Sequence, residues 1–118
     1  MDIDVSKFVG TWVNTNDKTR AIEKVIITAV NGEICMQVFG IEGGILSGDW
    51  GSIYAMPLTN APEETEPVAF KGQYKKKEFE AFLAVNDNKG LLIIAGYFYF
   101  ENNIGLNNFF TREFYYLK

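Results

Sequence analysis

The 118-residue sequence contains no histidine and one cysteine, Cys35, so no imidazole is present to transfer a proton or to activate a nucleophile. Histidine-dependent triads, histidine-ligated haem and histidine-containing zinc sites are therefore ruled out. Cys35 has no partner for an intramolecular disulfide, no companions for a cysteine zinc site and no imidazole to draw out its thiolate. It reads as a small buried hydrophobe of a strand. Glu78 and Glu80 stand two apart, which places both carboxylates on one strand face, the pattern of a solvated outer surface rather than of an acid/base pair. The glycines of "IEGGILSGDWG" lack the lysine and the strand-to-helix context of a phosphate loop and read as turn residues. No catalytic residue, metal ligand or cofactor is assigned. What remains is an aromatic supply of ten Phe, six Tyr and two Trp, more than a small core requires.

The elements that must position these rings are strands. Apolar positions recur with a period near two, and β-branched and aromatic runs are bounded by Gly, Asn, Asp and Pro. The runs place strand 1 at Phe8–Asn14, strand 2 at Ala21–Val30, strand 3 at Glu33–Gly40, strand 4 at Gly51–Leu58 and strand 5 at Val68–Tyr74. Strand 6 follows at Lys77–Val85, strand 7 at Leu91–Glu101 and strand 8 at Asn108–Leu117. Asn31-Gly32 between strands 2 and 3 is a strong hairpin signal, because both residues accept positive φ. "TNAPEETEP" reads as an exposed acidic loop, and "MDIDVSK" as a single helical turn capped by Asp2 or Asp4. Eight sequence-adjacent strands with short turns predict one all-β domain over residues 1–118, either a sandwich or an antiparallel up-and-down barrel, and the barrel is the expected form because closure removes exposed sheet edges.

The formal net charge of −4 argues against nucleic acid, which demands a basic face; the cluster Lys75-Lys76-Lys77 reads as a solvated turn or strand end. The longest apolar run, Leu91 to Phe100, has about half the length of a membrane-spanning helix, so no membrane insertion is expected. The N-terminus has no uninterrupted apolar segment of the secretory kind, and the lone cysteine suits a reducing compartment, so a cytoplasmic location is expected.

In "KFVGTWVNT" a glycine precedes a tryptophan by two residues at the start of strand 1, where glycine is tolerated if the strand bends or another group comes close. In a closed barrel strand 1 meets strand 8, "NFFTREFYY", and a guanidinium can stack on an indole. On Gly10, Trp12 and Arg112 the sequence resembles the calycin superfamily, whose lipocalins carry Gly-x-Trp on strand 1 and a cation on the last strand that packs over the Trp at the closed end. "GTWVNTNDKTRAIEKVIIT", "VFG…DWG" and "FFTREFYY" are similar to small bacterial lipocalin-like proteins. Their Cys and His before the second Trp-Gly are replaced here by "IEGGILSGD", and the lipocalin Thr-Asp-Tyr motif is absent. The avidin-like branch begins similarly, but its biotin pockets draw several tryptophans from later strands, where this chain offers Trp50 alone.

The resemblance implies a barrel closed at one end by Gly10, Trp12 and Arg112, with a small, largely apolar ligand taken up at the opposite mouth. Tyr54, Tyr97, Tyr99 and Phe114 are the expected inward contacts, the three tyrosine hydroxyls supplying the few polar interactions an apolar pocket needs. Trp50 reads either as a plug of one end or as a ligand contact. An eight-stranded barrel can also be filled by its own side chains. A filled barrel predicts a structural or protein-interaction module with an exposed apolar patch. A third reading is an isomerase or cyclase that confines its substrate, with a Tyr or Glu moving the proton. Strand 7 is apolar on both faces, so its outward face calls for a cover, and a homodimer is the expected one.

Overall fold

The computed structural model describes residues 4–118, in which eight antiparallel strands follow one another around a closed up-and-down barrel. The strands are β1 (Gly10–Asn14), β2 (Ile22–Val30), β3 (Glu33–Gly40), β4 (Gly48–Thr59), β5 (Pro67–Lys75), β6 (Phe79–Asn88), β7 (Leu91–Phe100) and β8 (Phe109–Leu117). Pairing of Trp12 with Leu117, Val13 with Tyr116 and Asn14 with Tyr115 closes the ring between β1 and β8. β4 starts earlier and runs longer than its apolar run predicts, because Gly48 and Asp49 pair with the end of β3. Lys77 and Glu78 lie in the turn before β6, so Glu78 and Glu80 do not share a strand. Asn31 and Gly32 both adopt positive φ in the β2–β3 hairpin, and Lys89 and Gly90 repeat that turn between β6 and β7.

A 3-10 turn, Ser6–Phe8, precedes β1. The Asp4 carboxylate accepts hydrogen bonds from the Ser6 hydroxyl and amide at 2.7 and 3.0 Å, which hold its pKa below the usual range. Asp2, the other expected cap, lies outside the described residues.

Each end of the barrel is sealed by a tryptophan set into the same local frame. Trp12 donates its indole N–H to the Phe8 carbonyl at 2.9 Å, and Trp50 donates to the Leu46 carbonyl at 2.7 Å, in each case four residues back. Two residues before each indole, a glycine with positive φ (Gly10 at 147°, Gly48 at 91°) opens the strand. Gly10 answers to its neighbour as well as to its φ, since a Cβ there would collide with the Leu117 side chain of β8. Gly40 works similarly at the far end: a Cβ would overlap the Leu46 carbonyl, so glycine lets the 41–47 loop fold inward to meet Trp50. The spacing Φ-x-G-x-W, as "FVGTW" and "LSGDW", was available in the sequence as a signal that Trp50 is a plug.

Candidate functional site

Inward residues alternate along every strand and merge into one cluster running the length of the barrel. Phe8 meets Phe70 edge-on at 5.1 Å near the Trp12 end, and Trp50 meets Tyr74 at 5.3 Å and Phe79 at 5.0 Å near the other. Met36, Val38, Leu83, Ile94 and Phe98 fill the space between, all essentially without solvent contact. Two phenols take part. Tyr74 places its hydroxyl 2.8 Å from the Gly51 carbonyl, and Tyr115 places its own 3.1 Å from the Ile22 carbonyl. Burial raises both pKa values well above that of a free phenol.

The expected ligand contacts Tyr54, Tyr97, Tyr99 and Phe114 are not inward: they stand 64, 47, 45 and 39% exposed on the outer face. The reason is phase. In β7 the inward positions are Leu92, Ile94, Gly96 and Phe98, and a period of two then sends Tyr97 and Tyr99 outward. Phe98 stacks on inward Phe109 of β8 at 4.6 Å, which in turn throws Phe110, Arg112 and Phe114 out. Cys35 also points outward, half-buried and paired with Tyr54.

Arg112 therefore does not cover Trp12. It pairs with Ala95, and its guanidinium lies 5.3 Å from the ring of its own neighbour Phe114 on the outer surface. Leu117 takes the place beside Trp12. The inward charge of β8 is Glu113, which no sequence pattern had singled out. Its carboxylate accepts from Thr19 Oγ1 at 2.6 Å, Asn16 Nδ2 at 3.0 Å and Asn14 Nδ2 at 3.2 Å. Buried Asn14 also donates to the Ile22 carbonyl at 2.9 Å, so the polar run after β1 is stitched to β8 at the closure seam.

The outer face of β6–β8 has a regular relief set by register. One row is Phe82, Tyr97 and Phe110; the next is Ala84, Ala95 and Arg112; beyond it come Asn86, Ile93 and Phe114. The first row is a ridge: Tyr97 and Phe110 lie 5.2 Å apart, with Phe82 propped against Tyr99 of the row before at 5.6 Å. The second is a trough floored by methyl groups. On the β4 side, the β4–β5 ladder ends at the pair Met56–Lys71, and a groove of about 540 Å³ opens there between Tyr54, Met56, Gln73, Phe82 and Tyr97. The outer face of β2–β3 is different, with the Lys24 ammonium 4.4 Å from the Phe39 ring and no comparable aromatic row.

A second groove, of about 550 Å³, lies at the mouth beside Trp50, walled by Ile45, Phe100, Leu106 and Phe109 with Arg20 and Glu42 at its rim. No helix among the described residues is long and apolar enough to cross a membrane. No protein-family model matches this chain, and neither a curated protein nor a solved structure matches it.

Proposed function

We propose that the chain is a filled β-barrel acting as a protein-interaction module through the outer face of β4 and β6–β8. The observation that carries this reading is the division of the aromatic residues: the interior is occupied by its own side chains, while Tyr54, Phe82, Tyr97, Tyr99 and Phe110 form one continuous exposed patch. Aromatic residues and Met are enriched at interfaces, where rigid rings contribute area at small entropic loss, and exposed patches of this extent mark contact sites. The two interior phenols are engaged with backbone carbonyls and the inward Glu113 carboxylate with Thr19, Asn16 and Asn14 at the seam, so the confinement-enzyme reading draws no support from an unengaged proton-transfer group. The test is binding of an apolar-surface dye to dilute folded protein. Bright fluorescence lost in the triple variant Phe82→Ser/Tyr97→Ser/Phe110→Ser, with thermal stability retained, is expected; fluorescence unchanged by the triple variant overturns the reading.

The mouth groove favours a second reading, that of a calycin-like binder of a small amphipathic molecule. Its volume falls in the range of ligand pockets, its wall is apolar, and Arg20 can meet an acidic head group. Gly10 and Trp12 keep the calycin resemblance, whereas the outward Arg112 departs from it. A medium-chain fatty acid titrated into a Trp12→Phe variant should change Trp50 emission, and an Arg20→Ala change should weaken that response. A flat titration removes this reading.

A further inference from the structure

We infer that the occupant of the aromatic face is a second copy of this chain, related by a two-fold axis that lies in the contact plane and runs across the strands between the ridge and the trough. The inference rests on the interaction reading and names its partner.

The first argument is area. Tyr54, Met56, Phe82, Tyr97, Tyr99 and Phe110 expose between 37 and 64% of their surfaces. At ~200 Å² per large side chain this is on the order of 600 Å², before the alanine methyls and the Lys71 stem are added, and a standard interface buries ~800 Å² per partner. The patch is thus the size of one side of a stable dimer.

The second argument is shape. A two-fold axis in the plane, perpendicular to the strands, reflects each row of one copy onto the row equally far across the axis in the other. With the axis between the two rows, each copy's Phe82 falls over the other's Ala84, and Tyr97 over Ala95. Phe110 falls on the Arg112 guanidinium, a cation on a ring face, and Tyr99 falls toward the row of Asn86 and Phe114. On β6 and β7 a ring meets a methyl group and on β8 a ring meets a guanidinium, and this follows from the register alone. An axis along the strands would instead set ridge against ridge. The arrangement is isologous and closes at two copies, with the sheets packing face to face as in a β-sandwich. Lys71 and Arg112 place two cations on this face of a chain whose net charge is −4.

Sedimentation of the intact chain at micromolar concentration tests this. The native protein should run at twice its 13.4 kDa mass. Ala95→Trp should run as a monomer although it adds apolar surface, because it fills the seat of the second copy's Tyr97; Ala84→Lys should do the same and serves if the tryptophan variant fails to fold. A dimer that persists in both variants overturns the proposed axis, and a native monomer overturns the self-partner. In the latter case the dye experiment on the same sample decides separately whether the face still stands as an interaction surface.

Discussion

β7 carries aromatic rings on both of its faces, and the two faces differ in what lies beyond the ring rather than in the rings themselves. Inside, Phe98 stacks on Phe109 at 4.6 Å and meets the Trp50 indole at 6.3 Å. Outside, Tyr97 lies against Phe110 at 5.2 Å, with similar spacing and the same pair of strands. Cross-strand register makes such pairs on either side of a sheet, since opposed Cβ atoms are about 5 Å apart on both. Only the inner pair has a second layer, brought round by β3 and β4 when the barrel closes. Burial, and with it stabilisation, belongs to the closure; ring pairing belongs to the register.

The largest effect that tests this contrast is truncation of the inner ring. Phe98→Ala should lower the unfolding free energy by about 3–5 kcal/mol, and Trp12→Ala and Trp50→Ala by a similar amount, as read from urea denaturation. If either tryptophan, measured alone with the other replaced by Phe, emitted like a fully hydrated indole, the two-plug description of the barrel would fail.

A smaller loss is expected at the closure seam. Asn14→Ala deprives the Ile22 carbonyl and the Glu113 carboxylate of a donor in a largely buried place, and should lower stability by about 1–3 kcal/mol. Unchanged stability would mean that strand pairing alone holds β1 to β8.

Alkali should act next in order of size. The folded pKa of Tyr115 is raised by burial, so the unfolded chain releases the phenolic proton first and folding weakens as pH rises above ~10. The stabilisation is complete below that pH and declines by about 1.4 kcal/mol per unit above it. Tyr74, raised by burial in the same way, adds a decline of the same sign, so Tyr115→Phe should make the slope in a pH series of melting temperatures shallower without abolishing it; an unaltered slope would place the responsible group elsewhere.

The smallest effect belongs to the outer ring. Tyr97→Ser, measured dilute enough to keep the chain monomeric, should shift stability by no more than about 0.5 kcal/mol. A loss approaching that of Phe98→Ala would erase the distinction between the faces.

Much of the fold was legible because strand patterning is local. The eight runs, the Asn31-Gly32 turn and the closure of strand 1 on strand 8 follow from alternation and short connections, and the structure has them. The candidate site was less legible, and β7 shows why. "LLIIAGYFYF" is apolar at both parities, so the pattern contains no signal of which set faces in. Tyr97 and Tyr99 carry hydroxyls, which suited either a pocket or a wet surface. "TREF" posed the same ambiguity one residue apart, and the choice of Arg112 over Glu113 followed the family resemblance instead of the strand's phase.

The sequence by itself determined the number of strands, their order, the hairpins, and the exclusion of histidine, disulfide and multi-cysteine chemistry, because these depend on residue type and nearest-neighbour spacing. Only the tertiary structure decided which face of β7 and β8 is the core, that Trp50 plugs the second mouth, that Glu113 faces the closure seam, and that the surplus aromatics gather on one outer surface. The physical reason is that a strand of period two has two equivalent faces until another layer covers one of them, and that layer comes from residues distant in the chain.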